Sequence, residues 1–425
     1  MSLVYLDELC DSVSETFDKN TKSIVLINTS DVFNGKILNH EFVPNQNIKG
    51  QFKKLFQKND ILYSEIRPAN KHYAFVDFNS KDYVASTKLM VLRPKKEKIR
   101  PKYLYYILKN KDVVNFLQGL AESRSGTFPQ ITFSELSTID INLPSLENQD
   151  VIVNIVDNIE EKIECLENIN KNLEELSSAL AIHIFKNNDN ETIELKEICK
   201  FIKGRKPKDI SEFKENNFIN YLTIDVLTNQ NNSYAFDEKG IKANEYDILM
   251  VMDGASSGKL FYGKKGLVGS TLAKLETDSE FQEIVYQFLK INETFICENT
   301  TGTAIPHTDK GLVLNLQCPM SVEILEFSKT FKTIRSTIIS NTNEINELQK
   351  LRDTLLPKLM SGEIDVSKIN CYLRIKIMMK YLATFLIRKF LFIFSFNAIF
   401  LSIVIKILAI FFCVSTSPGI RISIG

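Results

Sequence analysis

An apolar heptad stripe that occurs twice, at a constant offset, constrains this chain more than any other feature. In the first copy Ile159, Leu166, Leu173 and Leu180 recur every seven residues, interleaved with Ile163 and Ile184. In the second, Ile334, Leu348 and Leu355 keep the same step, interleaved with Phe331, Ile338, Ile345 and Leu359. Ile159 and Ile334 stand 175 residues apart, as do Ile184 and Leu359. A 4-3 alternation makes a narrow apolar seam along a helix, and such a seam must pair with another. Core helices of an ordinary globular domain carry similar stripes. Length favours the paired coil here, since each stretch runs roughly 40 residues, or about 60 Å of helix. Charges such as Glu160, Glu161, Lys162, Glu174 and Glu175 flank the stripe. Asn170, Ser177, Asn341 and Arg352 occupy seam positions, where polar groups fix register at a cost in stability.

The stretches before each heptad segment repeat as well. The first holds Ser23–Val32, Asp60-Ile-Leu-Tyr-Ser, Val84-Ala-Ser-Thr-Lys-Leu, Gly126-Thr-Phe-Pro-Gln and Leu143-Pro. The second holds Ile219–Val226, Asp247-Ile-Leu-Met-Val, Val268-Gly-Ser-Thr-Leu-Ala, Gly302-Thr-Ala-Ile-Pro-His and Cys318-Pro. The order is kept while the spacing drifts, as loop insertions between shared strands would produce. Short β-rich runs dominate both, with an amphipathic helix expected near Tyr103–Leu120 and near Ser279–Asn292. The economical account is one α+β fold used twice. It divides the chain into a globular domain over 1–145, a helix over 146–187, a second domain over 188–320 and a second helix over 321–362. Pairing of the two helices is expected to be antiparallel, with a domain at either end.

Residues 363–425 depart from this plan. Phe390–Ile405 carries no charge, Lys406 interrupts, and Ile407–Val414 resumes the apolar run behind Arg374, Lys376, Lys380, Arg388 and Lys389. The segment reads first as AT-rich DNA translated out of frame. Its alternative is a membrane span with a positive flank, which would make the chain a membrane-tethered coiled-coil interaction protein.

Bulk charge excludes a histone-like coat protein, because 52 Lys and Arg balance 52 Asp and Glu. Any nucleic-acid contact must come from local patches. The seven cysteines and four histidines are dispersed, with no C-x-x-C, so neither a disulfide framework nor a metal site is expected. That usage fits a reducing cytoplasm, and Met1–Glu8 lacks the basic, then apolar, pattern of a secretory signal. Catalytic motifs are missing too. No Pro-Pro occurs, and Gly254-Ala-Ser-Ser-Gly-Lys-Leu260 falls one residue short of a phosphate-binding loop and lacks its hydroxyl. Glu212-Phe213-Lys214 has the E-x-K form of a nuclease strand but lies in a polar stretch. No catalytic residue is therefore assigned.

Basic clusters are present and fall at comparable places in both copies. Arg67, Lys71 and His72 follow the expected strand of the first, as Ser256, Ser257 and Lys259 follow that of the second. Lys203, Arg205, Lys206 and Lys208 form a Gly/Pro loop, Arg124 sits beside Gly126, and a run from Arg93 to Lys102 leads into three tyrosines. A single Lys/Arg cluster is usually a solvated face. Recurrence in two copies favours contact with phosphates and base edges.

Together these features resemble the specificity subunit of Type I restriction–modification systems. The resemblance lies in Gly126–Gln130, in Leu143-Pro-Ser-Leu-Glu-Asn-Gln149 with Ile152, in Tyr221–Val226, in Asp247–Gly254, and in Leu351-Arg-Asp-Thr-Leu-Leu-Pro-Lys-Leu-Met-Ser-Gly-Glu-Ile364. It covers residues 1 to about 369. The second helix departs from the family pattern, since it starts Pro319-Met-Ser-Val where Glu-Asn-Gln is usual. The resemblance implies two similar DNA target-recognition domains, each reading one half of a bipartite double-stranded DNA site. The helices would form an antiparallel coiled coil that sets the spacer and docks two methyltransferase subunits. S-adenosylmethionine, ATP and Mg²⁺ would belong to those partners and to a motor-nuclease restriction subunit, with no cofactor in this chain.

Overall fold

Asp60 and Asp247 each open a strand that is buried at every position, Ile61–Ser64 and Ile248–Val251. Such a strand has no solvent face and must lie inside its sheet. In the computed structural model both do. The structure describes residues 2–366 apart from 18–20, 47, 49, 124–128, 188–190, 229–230 and 303. The chain forms two units, one of Met1–Val156 with the chain from Thr354, the other of Asp157–Asp353.

In unit 1, Ile61–Ser64 pairs antiparallel with Leu89–Pro94 on one side and with Tyr73–Phe75 on the other, and Cys10–Val13 completes the sheet beyond Leu89–Pro94. A second four-stranded sheet holds one parallel pair, Ser23–Ile27 with Tyr83–Ser86, flanked by antiparallel Phe42–Pro44 and Phe52–Leu55. Ser2–Tyr5 pairs with Asp140–Leu143, just before the long helix Leu146–Asn187. Unit 2 repeats each of these relations. Ile248–Val251 lies between Leu272–Thr277 and Leu260–Phe261, with Cys199–Lys203 beyond. Ile219–Leu222 runs parallel to Gly266–Val268, flanked by antiparallel Tyr234–Phe236 and Lys242–Ala243. Asp209–Ser211 extends this sheet on its outer side. Thr192–Glu194 pairs with Gln317–Pro319, just before the long helix Val322–Ser361. One α+β fold is thus used twice, as the sequence repeat requires.

The opening aspartates show why the repeat keeps them. The Asp60 carboxylate accepts from Gln57 N–H at 2.9 Å, and that of Asp247 from Asn244 N–H at 2.8 Å. Each also pairs with a cation on the neighbouring strand, Arg93 through two hydrogen bonds of 3.0 and 2.9 Å and Lys274 at 3.0 Å. The pair closes the strand entry and neutralises a buried carboxylate that would otherwise be costly.

The helical seam forms as the heptads demand. Within unit 2, Ile163, Leu166 and Ile345 are buried together, with Ile159 and Leu348 against them. Lys162 meets Glu344 at 3.3 Å, Glu160 meets Arg352 at 3.2 Å, and Asn341 Nδ2 donates to Asn170 Oδ1 at 2.8 Å. Low numbers on one helix face high numbers on the other, so the pair is antiparallel. Ile338 is buried, Leu173 and Ile334 are half-buried, and Leu180 packs on the cluster containing Ile184 and Phe331. Leu355 belongs to unit 1, where Leu356, Leu359 and Val366 are buried with Val151, Ile152, Val156 and Tyr103.

One expectation needs correction. The single helix near Tyr103–Leu120 is two, Pro101–Leu108 and Lys111–Ser123, and Tyr103–Leu108 are all buried rather than amphipathic. Arg335, next to the seam, is buried at 6% exposure. Its guanidinium lies 4.2 Å from the ring centroids of both Tyr262 and Tyr286. The Tyr262 hydroxyl donates to Glu283, itself 3% exposed, and burial raises the Glu283 carboxyl above its ordinary value.

Residues 367–425 lie outside the described residues, and so does the expected apolar span. Among the described residues no helix is long and apolar enough to cross a membrane.

Candidate nucleic-acid interface

Beyond each central strand the chain turns, and the turn is tied to the same two segments in both units. In unit 1 the Glu65 N–H donates to the Lys88 carbonyl (3.0 Å), the Ile131 N–H to Glu65 (2.8 Å) and the Arg67 N–H to Pro129 (3.0 Å). In unit 2 the Met252 N–H donates to Thr271 (2.7 Å), the Thr308 N–H to Met252 (2.8 Å) and the Gly254 N–H to Pro306 (2.9 Å). Arg67 and Gly254 hold matching places and both have positive φ, 45° and 105°. Glycine adopts this conformation freely, whereas Arg67 holds it under strain. These bonds explain the Pro-Gln and Pro-His pieces of the repeat: their carbonyls anchor the turn.

The side chains singled out from the sequence gather unevenly around these turns. Arg67 and Lys71 are exposed and flank the short helical turn Pro68–Asn70, Lys71 also at positive φ. His72 is half-buried, its Nδ1 bonded to the Val32 carbonyl at 2.7 Å, so that nitrogen carries the proton. Arg124 lies outside the described residues. Lys203, Arg205, Lys206 and Lys208 are all exposed on the loop that leaves Cys199–Lys203. Gly204 lets this loop lie against the sheet, since an added Cβ would fall 2.2 Å from the Gly269 carbonyl. Arg205 makes two hydrogen bonds to Asp237, at 2.9 and 2.6 Å, and they hold that carboxyl below its ordinary value. Lys206 and Lys208 enter no ion pair among the described residues. Ser256 is half-buried and Lys259 exposed. Ser257 is buried, with its hydroxyl within 2.7 Å of the Gly254 carbonyl and 2.9 Å of that of Pro306, where it stiffens the turn.

Arg93, Lys95 and Arg100, from the run that ends at Lys102, are engaged within the fold. Arg93 binds Asp60 and Glu15, Lys95 binds Asp11, and Arg100 binds Asp150. Asp60 and Glu15 raise the Arg93 guanidinium above its ordinary value. Sequence alone treats these cations as free because their carboxylates are distant along the chain.

Polar groups that sequence reasoning passed over stand at the turns themselves. In unit 2 the Asp253 carboxylate receives His307 Nδ1 at 2.8 Å and Lys203 Nζ at 3.3 Å. Burial pushes the Asp253 carboxyl up, but His307 and Lys203 outweigh it and the group stays below its ordinary value. In unit 1 Lys88 Nζ lies 3.2 Å from Gln130 Oε1 and 3.6 Å from Glu65. The repeat carried a signal for them, since Gln130 and His307 each follow the anchoring proline. Among the described residues no group of three or more His, Cys, Asp or Glu is placed to hold a metal ion. Burial pushes the thiols of Cys10, Cys199 and Cys318 up to about 12, so they pack as small apolar side chains.

The family model of the Type I restriction modification DNA specificity domain matches residues 4–175 and again 187–350. The Type I restriction enzyme HindI specificity subunit of Haemophilus influenzae is 42% identical over 176 residues, which are 41% of this chain and 38% of that protein. The Type I restriction enzyme MjaVIII specificity subunit of Methanocaldococcus jannaschii is 31% identical over 179 residues, 41% of this chain and 42% of that protein. The chain thus spans well under two thirds of either relative in these alignments. The crystal structure of a Type-I restriction-modification system S subunit from M. genitalium superposes with a TM-score of 0.53 at 19% identity, over 84% of this chain and 96% of that one.

Proposed function

We propose, from the premise that this chain belongs to the Type I restriction modification DNA specificity family, that it is the DNA-reading subunit of such a system. It supplies the address and carries no catalysis of its own. Each unit reads one half of a bipartite duplex site, and the paired long helices act as spacer and as dock for two methyltransferase subunits. S-adenosylmethionine is held by those subunits, and ATP with Mg²⁺ by a restriction motor-nuclease, all in the cytoplasm. One observation carries this reading: the strand-end turn tied to its anchoring proline is built twice, and exposed cations surround it both times. Two equivalent sites are what a two-part address needs, and cations near them supply the phosphate contacts that position a reader on the duplex.

Duplex binding by the full chain, measured across a salt series, tests the reading. Replacing Lys203, Arg205, Lys206 and Lys208 together with Ala should weaken binding and flatten the salt slope by up to about 0.9 for each cation that touches a phosphate. Unchanged affinity and slope would return that loop to solvent. Methyl transfer by the purified chain alone would overturn the division of labour.

A further inference from the structure

The two turns share one backbone frame and carry different polar heads. In unit 1 the heads are Glu65, Lys88 and Gln130, and in unit 2 they are Lys203, Asp253 and His307. A bridge closes the frame in both: isolated bridges join Ile66 to Gln130 and Asp253 to His307. In unit 2 Thr301 and His307 also exchange both backbone hydrogen bonds, at 2.8 and 2.7 Å, with Gly302 at positive φ between them. His307 and Lys203 are about half exposed, at 49% and 52%, as is Lys88 at 50%. Their polar ends are thus fixed by the fold on one side and open to solvent on the other.

We propose that these two triplets are base-reading constellations, with Gln130 and His307 as the residues that set the preferred base pair in each half-site. The proposal rests on the DNA-reading function above. The chemistry differs between the two. Gln130 Oε1 takes one hydrogen bond from Lys88 and keeps a lone pair, while its amide nitrogen remains a donor. That donor–acceptor pair matches the N6 and N7 edge of adenine in the major groove. At His307 the Asp253 carboxylate can only accept, so Nδ1 carries a proton, and in that neutral tautomer Nε2 is the acceptor left for a ligand. Such an acceptor takes a hydrogen bond from an exocyclic amino group, adenine N6 or cytosine N4. Asp253 is a positioning residue that holds the ring and is itself held by Lys203, as Lys88 holds the Gln130 amide and is held by Glu65.

A library of randomised DNA duplexes, bound to the full chain and sequenced, tests this. The wild-type chain should enrich two half-sites separated by an undefined gap. His307→Ala should lose discrimination about ten- to hundredfold at one base pair of one half-site and leave the other intact, and Gln130→Ala should do the reverse. The reciprocal changes His307→Gln and Gln130→His keep a polar head, so they should alter the preferred base rather than erase it, which separates reading from misfolding. If the wild type enriches two half-sites and all four variants enrich the same ones, the base-reading assignment is wrong and the DNA-reading function stands. If the wild type enriches nothing, that function falls and the assignment falls with it.

Discussion

Arg335 offers a sharp test of how unit 2 holds its long helix. Its guanidinium lies over the rings of Tyr262 and Tyr286, and of the two cations that act on the buried Glu283 carboxyl it has the larger effect. Replacing Arg335 with Leu removes two desolvated cation–π contacts and leaves that carboxylate with the Tyr262 hydroxyl. The combined loss should be about 3 kcal/mol, between the values for cation–π contacts and for a broken buried charge pair. A unit of this size shifts about 2–4 °C per kcal/mol, so calorimetry of the full chain should show the transition of unit 2 falling by roughly 6–12 °C. The pH dependence fixes the cause. Burial raises the folded Glu283 carboxyl above its unfolded value, so its penalty is absent below the unfolded pKa and grows as pH rises through the folded one. Removing Arg335, and with it one of the two cations (the other is Lys332) that oppose the shift, raises it further. Arg335→Leu should therefore destabilise more at pH 8 than at pH 5, and adding Glu283→Gln should recover much of the difference. A loss equal at both pH values, or no recovery with Glu283→Gln, would refute the argument.

The polar pair in the seam and the closing residues of unit 1 give two further expectations. Asn170→Leu or Asn341→Leu alone should cost about 1 kcal/mol by orphaning its partner, while the double change should be neutral or stabilising, read from a double-mutant cycle of thermal unfolding. Leu359→Ala, at a position 2% exposed, should cost about 2–5 kcal/mol and speed hydrogen exchange within residues 4–156. Leu351→Ala, 47% exposed on the same helix, should stay within about 0.5 kcal/mol.

The repeat was legible because it is written in residues whose physics is local. A heptad names its own helix face, and Asp60 and Asp247 mark strand entries through bonds three residues away. What stayed hidden depends on pairing across the chain. His307 reaches Asp253 only because Thr308 hydrogen-bonds across to Met252, and nothing near His307 in sequence announces a carboxylate. Arg335 stands beside Ile334, and nothing near it in sequence announces that its guanidinium lies against Tyr262 and Tyr286. The run from Arg93 to Lys102 misled for the converse reason. Its acidic partners Glu15, Asp11 and Asp150 come from distant segments, and they engage Arg93, Lys95 and Arg100 in ion pairs.

Unit 1 is assembled from two stretches of chain that enclose all of unit 2 between them. Its core places Leu356, Leu359 and Val366 against Val151, Ile152 and Val156. During synthesis, then, the half whose residues emerge first is the half that must wait. A ribosome needs roughly ten seconds or more to add the intervening residues. Through that interval the start of the first long helix lacks the cover that Leu356, Leu359 and Val366 later give it, while unit 2, contiguous in the chain, has every residue of its own core once the interval ends. The order of completion is the reverse of the order of synthesis, and the surface left waiting is the one that Leu356, Leu359 and Val366 cover.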